Sequence, residues 1–272
     1  MINEAAEEIC GNIANDYWDG ENYYKNSSSQ NEAAEHFFKH LSFSGSENIL
    51  DIGCGDGKIT AYLAAQVPSG SVMGIDTSRS MIDFAKEKFD FSNLDFSLDS
   101  AETMDFDNAF DWVVSFTALH WIKNHRQLVH NVNKSLRKGG YFALTMPIKI
   151  PEALLEVVYE TIAKEFWKPL FQNFESGWNF SNEEDYRIYL DEENFSCKHC
   201  AVFFQNKIFP TAESFKGAMA QWLPWLRPLP AQLKDDFLNQ ILDKYLERNP
   251  PDSHGRLHFR VDRLEVVAAK KA

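Results

Sequence analysis

The sequence predicts an α/β fold built on a doubly wound, mostly parallel sheet, and two observations carry that expectation. From residue 48 to 146, short apolar strands alternate with helices of roughly 10–15 residues, the rhythm of βαβ units packed on a parallel sheet. The first strand also runs into the glycine-rich turn Gly53-Cys54-Gly55-Asp56-Gly57, where missing Cβ atoms let the backbone turn tightly and approach a ligand.

The elements follow in order. Residues 4–17 read as a helix, Asp19–Ser29 as a Gly/Asn/Ser-rich passage, and about Gln30–His40 as a second helix capped by Ser29. Asn48–Ile52 is a strand, Lys58–Gln66 a helix, Ser71–Ile75 a strand and Ser80–Phe89 a helix. Strands at Leu94–Leu98 and Asp111–Phe116 precede a helix over about His125–Leu136. Arg137-Lys138-Gly139-Gly140 reads as a stop and turn before a strand at Tyr141–Met146. After Pro147 the rhythm changes. Residues 151–194 are helical and aromatic-rich, and Ser196–Phe209 is strand-like. Helices cover Ala212–Trp222 and Ala231–Glu247, and a last strand lies near Leu264–Ala269. This second half is too irregular for another doubly wound domain, so it is expected to complete the sheet and cap the site. The domain reading is a helical lid over residues 1–40 and a catalytic domain over 41–272, with helical insertions at about 150–194 and 211–248.

Composition narrows the function classes. With 44% hydrophobic and 25% charged residues, the 272-residue chain is globular rather than disordered. Its 22 Phe and 7 Trp can fill a core or line an apolar pocket. A net charge of −13 with scattered cations argues against a nucleic-acid partner, which needs clustered Lys and Arg. The four cysteines, at 10, 54, 197 and 200, are too few for a disulfide scaffold and suit a reducing compartment. Cys197-Lys198-His199-Cys200 has C-x-x-C spacing, but no second pair accompanies it, and the segment reads as strand rather than as the start of a helix. No metal or redox chemistry is therefore expected there. The N-terminus carries no apolar run, and no stretch of 18 uncharged apolar residues exists, so a cytoplasmic protein without a membrane span is expected.

The chemistry lies at the strand ends. Asp51 closes the first strand just before the glycines. A dinucleotide site would want G-x-G-x-x-G, with pyrophosphate resting on the helix N-terminus. Here the third glycine comes one residue early, Lys58 stands where that pattern wants Gly, and an anion would face Asp51 and Asp56. The pattern instead suits a cationic ligand bearing an amino group, such as the methionine end of S-adenosylmethionine. Asp76 closes the second strand, at the distance from the glycines where an acid hydrogen-bonds ribose hydroxyls, with Thr77 following. Asp99 follows the third strand, where it can accept the adenine amino proton while amides of Ser100 and Ala101 read the ring nitrogen. Each acid alone is equally a solvated loop residue or a helix cap. Three at successive strand ends, in cofactor order, favour the ligand.

With these residues in place, the segment resembles the class I S-adenosylmethionine-dependent methyltransferases, in their small-molecule "type 11-like" branch. The resemblance covers residues 23–146 well and the rest loosely. It implies a Rossmann-like seven-stranded sheet in the order 3-2-1-4-5-7-6 with the last strand antiparallel. It also implies Asp51, Gly53 and Gly55 near the methionine moiety, Asp76 and Thr77 on the ribose, and Met81 against adenine. Asp99, Ser100 and Ala101 fall on the adenine edge, and Ser115 joins this cofactor set.

The acceptor side rests on less. Ser115-Phe116-Thr117-Ala118-Leu119-His120-Trp121 follows the fourth strand, at the carboxyl edge where open α/β sheets put ligands. Trp121 can wall the sulfonium or pack under a cap, and His120 can act as a base or be structural. The run from Tyr23 to Gln30, and Leu119-His120-Trp121, resemble the juvenile-hormone-acid, trans-aconitate and malonyl-carrier-protein carboxyl methyltransferases. That implies Gln30 and Trp121 on the acceptor carboxylate, with Tyr24 beside them. Trp222, in the proline-broken Gln221–Pro230 segment, is a candidate apolar wall. The expected reaction is methyl transfer to a carboxylate of a small or carrier-bound acid. N- or C-methylation, with His120 or Tyr24 as base, and a cofactor-binding protein without transfer activity are the alternatives.

Overall fold

In the computed structural model, residues 18–26 and 28–271 are described. The chain divides into two compact units. The larger holds Asp19–Ile150, Gly177–Lys207 and Arg260–Ala272; the other holds Pro151–Ser176 and Ile208–Phe259 with the N-terminal residues through Trp18.

The larger unit opens with helices α1 (Gly20–Asn26) and α2 (Ser28–Phe38). Then come β1 (Asn48–Ile52), α3 (Lys58–Gln66), β2 (Ser71–Asp76), α4 (Arg79–Lys88), β3 (Leu94–Leu98) and β4 (Phe110–Phe116). A 3-10 turn (Leu119–Trp121) leads to α5 (His125–Ser135) and β5 (Leu136–Pro147). The sheet has seven strands in the order β3-β2-β1-β4-β5-β7-β6, where β6 spans Phe195–Phe209 and β7 spans Leu257–Lys270. The first five strands pair in parallel and β7 runs antiparallel to β5, as the resemblance implied.

Strands buried on both faces read as apolar runs because helices cover each side. On one face, Ile49, Val72, Trp112, Val114, Ala143 and Val267 meet Ala34 and Phe37 of α2 and Leu63 and Ala64 of α3. On the other, Leu50, Ile52, Val113, Phe142, Leu144 and Val266 meet Leu128, Val129 and Val132 of α5. Tyr186 and Leu190, from a helix over Glu183–Glu192, join that second face.

Three local readings are corrected. Asp19–Ser29 was expected to be irregular, yet α1 forms there, because Glu21 and Lys25 pair across one turn at 2.7 Å and the Tyr24 ring packs on Phe84. Tertiary packing of this sort outweighs weak propensity. Ser29 does not cap α2; the helix already includes Ser28. Arg137–Gly140 is no turn between elements but a bulge inside β5. Phe110 pairs with Leu136 and Trp112 with Tyr141, so four residues stand opposite Asp111 alone. Gly139 takes φ 77° in the excursion, and the Arg137 guanidinium donates to the Asp111 carboxylate at 2.8 and 2.9 Å.

The second unit is helical: Glu152–Ile162, Ala212–Trp222 and Ala231–Arg248. Trp167, Phe215 and Phe237 are fully buried in it, and the Trp167 indole N–H donates to Gln240 at 3.1 Å. Much of the aromatic excess is thus core. Among the described residues, no helix is long and apolar enough to cross a membrane.

The helix Glu183–Glu192 starts with a capping box, in which Asn182 accepts from the Asp185 amide at 3.0 Å and Asp185 accepts from the Asn182 amide at 3.1 Å. Asn182→Ala removes one half of it and is expected to lower unfolding free energy by about 1 kcal/mol in urea titration, with m unchanged.

Candidate active site

The three predicted acids sit at the carboxyl ends of β1, β2 and β3, which are neighbours in the sheet. The turn after β1 is pinned to the end of β2. The Gly53 and Cys54 amides both donate to the Ile75 carbonyl, at 2.8 and 3.0 Å. Gly53 needs to be glycine for two reasons. Its φ is 71°, and a Cβ there would lie 2.2 Å from the Cβ of Ala118 in the segment after β4. Gly55, at φ 52°, donates its amide to the Asp76 carboxylate at 3.0 Å, and the Ser78 amide donates to the other Asp76 oxygen at 2.9 Å. Asp76 is therefore aimed by two amides, each of its carboxylate oxygens accepting one of them. Its backbone carbonyl accepts from the Asp99 amide at 3.1 Å, which ties the second and third acids together.

Asp99 is half-buried, and its carboxylate accepts from the Ser100 amide at 2.7 Å. Ser100 in turn accepts the Glu102 amide through its hydroxyl at 3.2 Å. Ala101 is buried. Met81 is buried on α4, and its amide donates to the Ser78 hydroxyl that caps the helix. Thr77 is exposed between Asp76 and that cap. Ser115 is fully buried and donates to the Ile52 carbonyl at 2.8 Å, so in this structure it braces β4 against β1.

Asp51 has the most perturbed environment of the predicted set. It is buried, accepts a hydrogen bond from the Thr60 hydroxyl at 2.8 Å, and has its pKa pushed up to about 7. Burial is the main cause; Asp76 and Asp56 add to it and the Thr60 bond opposes it. A cationic ammonium beside Asp51 would restore its ionised form, which is the complementarity expected for the methionine end of the cofactor.

The segment after β4 carries strain and charge. Thr117 has φ 62°, a conformation that is costly for a β-branched residue. Its amide donates to the Thr145 carbonyl at 2.7 Å, and its hydroxyl receives a hydrogen bond from Arg263 of β7. The Arg263 guanidinium also donates to the Thr145 hydroxyl at 3.3 Å. It is buried, and burial pulls its pKa down to about 10 against the opposing fields of Glu265 and Tyr23. Sequence reasoning missed Arg263. The available signal was an Arg and a Glu two residues apart in a strand otherwise rich in Leu, Val and Ala. Lys149 pairs with Asp262 at 3.1 Å and Arg187 with Glu183 at 2.8 Å.

His120 is buried and stacks parallel to Phe180 with centroids 5.9 Å apart. Trp121 lies half-buried, its ring 6.0 Å from Trp178, which itself packs at 5.6 Å on Phe180. These four rings form an aromatic group at the β4 edge. Tyr24 is held between two cations, with Lys58 4.1 Å and Lys88 5.2 Å from its ring centroid. Gln30 belongs to α2, but its side chain lies outside the described residues. Trp222 belongs to the helical unit, where its ring lies 6.1 Å from that of Phe259.

Asp51 sets a pH signature. The folded state raises its pKa from the ordinary 3.8 to about 7, so the fold binds an extra proton between those values. The stability this group contributes is complete below pH 3.8 and is lost as pH rises through 7. Asp51→Asn, which keeps an acceptor for Thr60, is therefore expected to raise Tm at pH 8 and to change it little near pH 4. Equal shifts at both pH values would contradict the buried-acid assignment.

Comparison with known proteins agrees with this geometry. A family model described as "Methyltransferase domain" matches residues 49–140. The uncharacterized methyltransferase C70.08c of Schizosaccharomyces pombe is 30% identical, covering 94% of this chain and 99% of that one. The trans-aconitate 2-methyltransferase of Methylobacterium nodulans is 23% identical over 93% of this chain and 98% of its own. The phosphoethanolamine N-methyltransferase 2 of Haemonchus contortus, solved with S-adenosyl-L-methionine, shares the fold. Its TM-score is 0.53 at 18% identity, covering 90% of this chain and 53% of that one. Acid-before-glycine turn, strand order and full-length relatives converge: the chain belongs to the methyltransferase family, as a class I enzyme whose cofactor is S-adenosylmethionine.

Proposed function

We propose that this methyltransferase acts on a carboxylate oxygen of a small or carrier-bound acid. The observation that carries the reading is Arg263. It is a buried guanidinium whose hydrogen bonds go to two neutral threonine hydroxyls, and among the described residues no carboxylate comes within ion-pair distance of it. A buried cation supported only by the fields of Glu265 and Tyr23 is costly, and an acceptor anion would offset that cost. The near full-length similarity to trans-aconitate 2-methyltransferases, enzymes named for a carboxylic acid, supports the same class of acceptor.

The bound cofactor supplies an electrophilic methyl group on a sulfonium. The chain's part is to hold both reactants. Asp51 and the Gly53–Gly55 turn receive the methionine end, Asp76 and Thr77 the ribose, and Met81, Asp99, Ser100 and Ala101 the adenine. A carboxylate is already ionised at pH 7, so in-line displacement needs no strong base. His120, stacked in the aromatic group, is then a wall residue rather than a base. What remains is alignment and exclusion of water. Trp121 and Gln30 hold the reacting carboxylate by hydrogen bonds that leave it nucleophilic, with Tyr24 beside them. Arg263 takes a second anionic group of the acceptor. The helix expected over residues 4–17 lies outside the described residues.

A screen of carboxylic acids and acyl-carrier substrates with methyl-labelled cofactor tests the reaction. The expected product loses label in mild base, as an ester does; a base-stable product would mean N- or C-methylation. Asp51→Ala should abolish cofactor binding in calorimetry, and surviving binding would remove Asp51 from the site. Trp121→Ala and Gln30→Ala are expected to spare cofactor affinity and remove turnover. Arg263→Gln should raise KM for the acid about 10- to 100-fold, the loss expected for a hydrogen bond to a charged group, with cofactor affinity unchanged. An unaltered KM would exclude Arg263 from acceptor binding.

A further inference from the structure

The C-x-x-C motif draws attention to the wrong residues. Cys200 is buried with its thiol 3.8 Å from the Glu183 carbonyl, while Cys197 is exposed beside Arg187. One of the two residues between them, His199 of β6, instead joins His40, from the turn after α2, and Glu265 of β7. His40 Nε2 lies 3.5 Å and His199 Nε2 3.6 Å from the same Glu265 oxygen, Oε2. One atom from each of the three residues falls within 4.8 Å of the other two.

These separations are too long for hydrogen bonds, yet they are those of ligands around one ion. With zinc–nitrogen and zinc–oxygen bonds of about 2.0–2.2 Å, tetrahedral ligands stand about 3.3–3.6 Å apart. His199 Nε2 is also buried and has no hydrogen-bond partner among the described residues. The His40 and His199 rings stack with centroids 4.2 Å apart.

The other carboxylate oxygen is already oriented. Glu265 Oε1 lies 3.0 Å from His36 Nδ1, and His36 Nε2 lies 2.6 Å from the Lys39 ammonium. Lysine can only donate, so Nε2 accepts and the Nδ1–H donates to Glu265. His36, stacked on Phe203 at 3.6 Å, thus fixes the carboxylate so that Oε2 faces the two histidines.

We propose that His40, His199 and Glu265 form a site for one divalent transition-metal ion of zinc type, completed by water, with His36 orienting the carboxylate. The ion cross-links the end of α2 to β6 and β7, three segments distant in sequence but within one compact unit.

Full-length protein, stripped with chelator and dialysed, is titrated with ZnCl2 in a calorimeter and with CoCl2 in a spectrometer. One ion per chain is expected, with the visible bands of four-coordinate cobalt and no thiolate charge-transfer band. His199→Ala and Glu265→Gln should each weaken zinc binding about 100-fold or more, and His36→Gln about 10- to 100-fold. Cys197→Ser with Cys200→Ser should leave it unchanged, and retained S-adenosylmethionine binding reports that each variant is folded. Should the ligand variants fail to fold, the wild-type cobalt spectrum decides. Absence of a four-coordinate spectrum, a thiolate band, or zinc affinity indifferent to His199→Ala would each overturn the proposal.

Discussion

The site depends on one backbone contact, the double donation from Gly53 and Cys54 to the carbonyl of Ile75. It locks the turn after β1 onto the end of β2, and Gly55 then reaches the Asp76 carboxylate as the next available donor. Because Gly53 has no Cβ, the segment after β4 can lie against the same turn. The acids predicted for the cofactor on three strands and the segment after β4 are thereby brought to one edge by main-chain geometry. Such positioning is rigid because it uses strand ends rather than long side chains.

Around that edge the protein keeps ionisable groups in places where water is scarce. Asp51, Arg263 and Glu265 are all buried, and each has a different remedy. Asp51 retains a proton near neutrality with Thr60 as partner. Arg263 stays charged, supported by two hydroxyls and the field of Glu265. Glu265 is surrounded by three histidines. A folded protein retains such groups at a cost to stability, and the contact of Arg263 with the strained Thr117 fits a region shaped by ligands rather than by packing.

Legibility differed along the chain for physical reasons. The strands β1 and β3 and the helices Lys58–Gln66 and Ala212–Trp222 lie where the sequence puts them, because apolar period and glycine punctuation coincide there. Residues 20–26 were misread because α1 owes its existence to packing against Phe84 and Ser80, which are some 60 residues away. Arg137–Gly140 looked like a turn because its glycines are the same residues a bulge needs. The final strand was read too short, since Arg263 and its polar neighbours resemble a loop until β5 is seen to pair with them.

By itself the sequence placed an acid before the glycines and acids at the ends of the next two strands, because these positions are local to each strand end. What the tertiary structure decided was the pairing of distant segments. It brought Arg263 to Thr117 and Thr145, and His40 and His199 to Glu265, across separations of more than 60 residues. No local periodicity encodes such meetings, because they arise from the antiparallel insertion of β7 between β5 and β6.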